Sequence, residues 1–135
     1  MRITQALYDQ LERHGREQLP NESCGIVGTR DGEPVSFYPA RNLFESPMRF
    51  EVHPDDLYAI YTKLEDAGEE MGVLFHTHPK TEAAPSQTDV NMNTKIAEVW
   101  GPMTWLIGSL AGGEFVLRGF DVDSGRVEEI ALDVG

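Results

Sequence analysis

Apolar residues recur along the chain at two spacings, and each spacing predicts one kind of secondary structure. Helical spacing predicts three helices, at residues 4 to 15–19, 55–70 and 86–98, with Met92 and Ile96 facing inward in the third. Short apolar runs predict strands, at residues 24–28, 35–38, 50–52, 71–75, 103–110, 114–120 and, after a turn at 123–125, to about 132. Asp31-Gly32 predicts a hairpin turn between the first two strands. This order predicts an α+β domain with a central mixed, mostly antiparallel β-sheet flanked by about three α-helices.

Length and charge limit the class of protein. The 135 residues suit a single domain, residues 1–135, and the 23 acidic against 11 basic residues give a formal charge of −12. An acidic surface repels phosphate, so we expect no nucleic-acid or anionic-membrane partner. The single cysteine cannot form an internal disulfide, which favours a reducing compartment. With no apolar run near the roughly 18 residues of a membrane span and no signal peptide at the start, a cytoplasmic location is expected.

Two of the four histidines, His76 and His78, lie at the end of a predicted apolar strand. Side chains at i and i+2 of a strand point the same way, so both imidazoles are expected on one face and Thr77 on the other. Two nearby neutral imidazoles suit Zn²⁺. The alternative is a pair of surface histidines at a strand end.

Asp89 follows eleven positions after His78, in the first turn of the third predicted helix. A loop of that length allows its carboxylate to return to the strand end and complete a site of two His and one Asp. Such a site leaves a fourth zinc position open for water, as in catalytic sites. The alternative is that Ser86 and Asp89 form a Ser-x-x-Asp helix cap without any metal, although the two roles are compatible.

Hydrolysis at such a site needs a base that takes a proton from the attacking water. The chain has no His-Glu-x-x-His pattern, so the base must come from elsewhere in the sequence. Glu22 is the candidate, because it follows Pro20 in a turn that precedes the strand beginning at Cys24. The simpler alternative is a solvated glutamate before a strand.

Other reactive or charged side chains are assigned simpler roles. Cys24 lies two residues from Glu22, and a Cys–His pair would be a different enzyme class, but its apolar neighbours favour a buried, unreactive thiol. His14 is expected to be exposed on the first helix, and His53 to lie at the start of the second. The acidic residues near the end of the second helix are expected to be solvated: Glu65, Asp66, Glu69 and Glu70.

Together these residues resemble a known motif. Glu22, then His76-Thr77-His78-Pro79, then Ser86-x-x-Asp89, with seven residues from Pro79 to Pro85, is similar to the JAMM motif of the JAB/MPN-domain zinc metallopeptidases. That family includes deubiquitinating enzymes and bacterial enzymes that process sulfur-carrier proteins. The Pro-x-Glu-x-Cys-Gly context at 20–25 resembles bacterial members, and the likeness covers essentially the whole chain.

The resemblance implies a JAB/MPN fold of cytidine-deaminase-like architecture and a role for each motif residue. His76, His78 and Asp89 would bind one Zn²⁺ per chain. Glu22 would be the general base that later protonates the leaving amine, and Ser86 would help to stabilise the oxyanion. Since none of these residues is missing, the resemblance implies an active metallopeptidase.

The resemblance also implies a substrate. Short bacterial members of this kind, the Mec-type branch, act on ubiquitin-like sulfur carriers that end in Gly-Gly, and release cysteine from a carrier–cysteine adduct for cysteine biosynthesis. Alternatives are a carrier precursor tail, a carrier–protein conjugate, or a noncatalytic MPN-type module that binds a partner; a homodimer also stays open. In relatives, a loop like the one with Asn42, Ser46 and Arg49 borders the substrate groove, while ordinary turn chemistry is the alternative.

Overall fold

The computed structural model describes residues 1–123 and 125–135, and within the third helix it describes the side chains outside 92–97 and 100. Within these residues the helices are α1 (Gln5–Glu17), α2 (Pro54–Ala67) and α3 (Gln87–Trp100). The strands are β1 (Arg2–Ile3), β2 (Cys24–Arg30), β3 (Glu33–Ala40), β4 (Glu70–His78), β5 (Met103–Ser109), β6 (Val116–Asp123), β7 (Arg126–Ile130) and β8 (Asp133–Val134). The orientations predicted for Met92 and Ile96, and the predicted turn residue Ser124, lie outside the described set.

Six strands form one mixed sheet in the order β3-β2-β4-β5-β6-β7. The central neighbours β4 and β5 run parallel, and the other neighbouring pairs run antiparallel. This confirms the predicted α+β class with a mixed, mostly antiparallel sheet and three helices. β1 and β8 form a separate parallel pair that joins the two ends of the chain. Two-residue strands carry no periodic pattern, so the sequence did not predict this pair.

Local signals in the sequence begin and end these elements. Thr4 Oγ1 accepts a hydrogen bond from the Leu7 amide at 3.1 Å and caps α1. Asp31 and Gly32 have φ of 53° and 79° and form the β2–β3 hairpin turn. Gly68 has φ of 68° and ends α2 before the predicted residue 70.

The sheet has a hydrophobic cluster on each face, and β4 contributes to both. Leu74 belongs to the cluster that includes Leu64 of α2. Phe75 belongs to the opposite cluster, which includes Leu11 of α1. Because alternate residues of a strand share a face, His76 follows Leu74 onto the α2 side of the sheet.

The prediction of a strand at residues 50–52 is wrong. This segment makes only an isolated antiparallel bridge between Asn42 and Val52. Phe50 is nevertheless fully buried in the hydrophobic cluster on the α2 side of the sheet, and its ring stacks on His76 at a centroid distance of 4.3 Å. The apolar alternation that predicted a strand thus reflects a side-chain contact made by a loop.

Two expectations about solvent exposure are also wrong. His14 is half-buried, with its ring 5.4 Å from that of Phe37, and this burial lowers its pKa. The Glu69 side chain is only 5% exposed, because its carboxylate accepts hydrogen bonds from Ser36 Oγ and Tyr38 OH on β3. Both contacts join distant segments, so local composition does not reveal them. Among the helices described, none is long and apolar enough to cross a membrane.

Candidate metal centre

His76 and His78 lie at the end of β4 on one face of the sheet, and Thr77 between them lies on the opposite face. His76 is fully buried and His78 is 4% exposed. Their rings lie 5.0 Å apart between centroids. The Thr77 hydroxyl instead hydrogen-bonds to the Ser23 hydroxyl on the opposite face of the sheet, as the alternation of side chains along a strand predicts. The alternative of a surface histidine pair is therefore wrong.

Asp89 is brought to these histidines by the first turn of α3. Its backbone amide donates to Ser86 Oγ at 3.0 Å, and the Ser86 amide donates to Asp89 Oδ2 at 2.9 Å, which is a reciprocal helix cap. The same Oδ2 lies 3.0 Å from His78 Nε2 and 3.1 Å from His76 Nε2. The cap and the clustering with the histidines thus occur together.

Glu22 reaches the same place from the neighbouring strand. Cys24, the first residue of β2, pairs with His76 across the antiparallel ladder, so Glu22 precedes β2 beside the end of β4. One donor atom from each of Glu22, His76, His78 and Asp89 lies within 4.8 Å of the others. The four residues are buried, each at most 4% exposed. The alternative of a solvated Glu22 is wrong.

The protons on His78 can be assigned from its contacts. His78 Nδ1 lies 2.8 Å from the carbonyl oxygen of Glu82, which only accepts, so Nδ1 carries a proton and donates it. In the neutral ring, the lone pair of Nε2 then faces Asp89 Oδ2, another acceptor. Two acceptors 3.0 Å apart need a shared cation between them, either a proton or a metal ion.

The pKa shifts of His78 and Asp89 agree with a positive charge between them. Burial lowers the pKa of His78, but its contacts with Asp89 and Glu82 outweigh this effect and raise it. Burial raises the pKa of Asp89, but both histidines oppose it and hold the value well below the usual range. The carboxylate therefore stays ionised at neutral pH, as a metal ligand must.

Two side chains at the centre carry buried polar atoms without hydrogen-bond partners in the described part of the chain: both ring nitrogens of His76, and Glu22 Oε1. His76 Nε2 is near Asp89 Oδ2 without the alignment of a hydrogen bond. The His76 ring is fixed instead by stacking on Phe50 and by an edge contact with Trp105 at 5.7 Å. Unpartnered imidazole nitrogen beside carboxylate oxygen is a donor set that fits Zn²⁺.

Glu22 and Cys24 differ in what burial does to their chemistry. Burial raises the pKa of Glu22, His78 opposes this effect and Asp89 adds to it, and together they bring the pKa to about 8. A carboxyl group with this pKa exchanges a proton near neutral pH, as a general base does. Burial raises the pKa of Cys24 to about 12, so this thiol is inert, as predicted.

Hydrogen bonds at Thr81 and Glu82 hold the loop from 79 to 86 against its surroundings. Ser109 Oγ donates to the Thr81 carbonyl at 2.6 Å, and Glu82 accepts from His78. Ser86, at the end of this loop, is exposed. Its Oγ accepts from the Asp89 amide, which leaves the hydroxyl proton free to donate.

The sequence did not identify Phe50 and Trp105 as contacts of His76. Both lie in apolar runs of the sequence, and nothing in local spacing distinguishes a ring that packs on a histidine from an ordinary core ring. His53, in contrast, lies at the start of α2 as predicted, where its Nδ1 accepts from the Asp55 amide at 3.2 Å.

The proteins similar to this chain include two with peptidase-type names. The CysO-cysteine peptidase of Mycobacterium tuberculosis is 32% identical over 91 residues, which are 66% of this chain and 62% of that protein. The desampylase of Haloferax volcanii is 31% identical over 88 residues, or 60% of this chain and 63% of that protein. The matches thus span less than two thirds of these relatives' own length.

Solved structures share the whole fold. Protein DSY2949 from Desulfitobacterium hafniense is 29% identical and superposes with a TM-score of 0.86 over 99% of this chain and 92% of that one. The JAB1/MPN domain protein AF2198 from Archaeoglobus fulgidus is 16% identical, with a TM-score of 0.65 over 99% of this chain and 98% of that one. The family described as prokaryotic homologs of the JAB domain matches residues 4–120. The chain belongs to this family of prokaryotic JAB-domain proteins.

Proposed function

We propose that the protein is a zinc-dependent peptidase or isopeptidase of JAMM type, with one Zn²⁺ per chain held by His76, His78 and Asp89. The observation that carries this proposal is the buried group of Glu22 with these three residues, whose donor atoms lie within 4.8 Å of one another. Two imidazoles and one carboxylate leave a coordination position for water or substrate. We further propose that residues 1–135 form a single domain of this type.

The remaining chemistry follows from the chain's own groups. Bound Zn²⁺ supplies Lewis acidity toward the scissile carbonyl and toward water. Glu22 takes a proton from the attacking water on its carboxylate and passes it to the leaving amine. The Ser86 hydroxyl donates a hydrogen bond to the developing oxyanion, with its oxygen already oriented by the Asp89 amide.

The substrate class is proposed from the relatives. One relative is named a CysO-cysteine peptidase and another a desampylase. We propose a ubiquitin-like sulfur carrier with a Gly-Gly tail as the partner, cleaved after that tail with release of cysteine, which would link the protein to cysteine biosynthesis. Processing of a carrier precursor tail or of a carrier–protein conjugate is the alternative within this class. A cytoplasmic location and a homodimer stay predictions.

The test compares wild type with Glu22→Gln, and uses Glu33→Gln as the matched control because Glu33 is exposed on β3. The substrates are a Gly-Gly-Cys carrier adduct, a carrier linked to a lysine side chain, and free peptides. We expect Glu22→Gln to keep its zinc and to lose about 10²–10⁴-fold in hydrolysis, with the control unchanged. Equal measurable rates in Glu22→Gln and wild type would contradict the role of Glu22 as general base, and no hydrolysis by wild type would instead favour a noncatalytic partner-binding module. Cleavage of free peptides without cleavage of carrier conjugates would contradict the substrate assignment.

A further inference from the structure

Asn42, the second residue after β3, is buried at 7% exposure and bonds to the segment that carries Glu22. Its Nδ2 donates to the Glu22 carbonyl at 3.2 Å and to the Arg49 carbonyl at 3.0 Å, and the Ser46 carbonyl lies 3.5 Å away. An amide NH₂ has two protons, and both are used here.

The other half of the Asn42 amide is satisfied as well. Oδ1 accepts from the Phe44 amide at 3.0 Å and from the Glu51 amide at 3.2 Å. Carbonyl groups surround Nδ2 and amide groups surround Oδ1, so the orientation of the side chain is determined. Aspartate would place a negatively charged oxygen against the three carbonyls, and alanine would leave buried backbone groups without partners.

Loop contacts hold both polar backbone groups of Glu22. The Glu22 amide donates to the Ser46 carbonyl at 2.9 Å, and its carbonyl accepts from Asn42. Glu22 precedes β2 and takes no part in the ladder that fixes Cys24. Its backbone position next to the histidines therefore depends on the 42–51 loop, and Asn42 is the side chain that ties this loop together.

We propose that Asn42 is the positioning residue of Glu22. The inference rests on the proposed function, in which Glu22 is the general base, and assigns Asn42 a role through Glu22 rather than through the substrate. A catalytic group displaced by about 1 Å costs on the order of 10²-fold in rate. Asn42→Asp is therefore expected to lower kcat by about 10²-fold while KM changes little.

The experiment measures single-turnover hydrolysis of the carrier adduct for Asn42→Asp, Glu22→Ala and the double variant, each with its zinc content. Gln10→Glu is the matched control, since it makes the same amide-to-acid change on the exposed surface of α1. We expect normal zinc content throughout, a large loss in Asn42→Asp, no further loss when it is added to Glu22→Ala, and no effect of the control. An equal fold-loss in both backgrounds would overturn the proposal, because a general structural defect acts without Glu22.

A second readout does not depend on activity. Hydrogen exchange of the Glu22 amide is expected to accelerate in Asn42→Asp, with β6 amides unchanged. Unchanged exchange at Glu22 together with unchanged kcat would overturn the proposal. If wild type and Glu22→Ala are equally inactive, the proposed function fails, while accelerated exchange would still identify Asn42 as the residue that holds Glu22. Asn42→Ala, which adds no charge, replaces Asn42→Asp in every arm if the latter does not fold.

Discussion

The Ser23 amide donates to Thr77 Oγ1 at 2.9 Å, and the two side-chain oxygens lie 3.0 Å apart. Ser23 directly follows the proposed base, and Thr77 lies between the two proposed zinc ligands. The Thr77 amide also donates to the Ser23 carbonyl at 3.1 Å. This buried pair therefore fixes Ser23, the residue after Glu22, beside the strand that carries His76 and His78, while the 42–51 loop holds Glu22 itself.

Thr77→Val tests this pair, because valine keeps the shape and removes the hydroxyl. The Ser23 amide would lose its acceptor in a buried position, so we expect a loss of about 1–3 kcal/mol in the free energy of unfolding. Thr77→Ser keeps the hydroxyl and is the control, with an expected loss of about 1 kcal/mol for the methyl group. Urea denaturation measures both, and a valine variant as stable as wild type would contradict the account.

Gly25 lies three residues after Glu22, and Gly25→Ala tests whether this position has room for a side chain. A Cβ at Gly25 would lie 2.6 Å from the Tyr38 carbonyl oxygen and 2.6 Å from the Phe37 ring. Because a backbone atom cannot yield without moving β3, we expect a loss of about 1–3 kcal/mol. At Gly112 an added Cβ meets nothing within 4 Å, so Gly112→Ala should leave the melting temperature unchanged. Equal melting temperatures for both variants would refute the steric explanation.

The Cys24 thiol should react very slowly in the folded protein. Burial, Asp56 and Glu22 together raise its pKa to about 12, so the thiolate fraction at pH 8 is on the order of 10⁻⁴. We expect labelling by a disulfide reagent to be slow in native protein and fast in 6 M guanidinium, a denaturant at roughly the strength that unfolds such domains. Rapid labelling of native protein would revive a nucleophilic role for Cys24.

Much of the centre could be predicted from sequence because its geometry is local. The period of two in β4 places His76 and His78 on one face, and the capping pattern at Ser86 orients Asp89. The position of Glu22 beside them depends on the pairing of β2 with β4, which residue spacing does not predict. The place of Glu22 before the strand at Cys24 makes it only a candidate base, and the family resemblance implies its role.

What the sequence missed depends on contacts between distant segments. Phe50 was assigned to a strand because stacking on His76 and strand burial leave the same apolar signal. Glu69 was expected in solvent because its partners, Ser36 and Tyr38, lie more than thirty positions earlier in the chain. The short β1–β8 pair joins opposite ends of the chain for the same reason.

Stability of the metal-free protein should depend on pH through Glu22. Burial raises the folded-state pKa of Glu22 to about 8 from the ordinary value of 4.5, so the folded state holds its proton longer than the unfolded state does. The contribution of this group to the free energy of unfolding is full below about pH 4.5 and is lost as the pH rises toward 8. Glu22→Gln stays neutral, so its unfolding free energy relative to wild type should rise from pH 5 to pH 8 in chelator. A difference independent of pH would show that Glu22 is ionised in the folded protein.

The most direct measurement of the central claim is zinc content per chain for untagged wild type, His78→Ala and, as a control, His14→Ala. The account predicts about one zinc in wild type and in the His14 variant, and much less in His78→Ala, because one of three ligands is lost. It would be contradicted by equal zinc in all three proteins, or by no zinc in wild type after reconstitution.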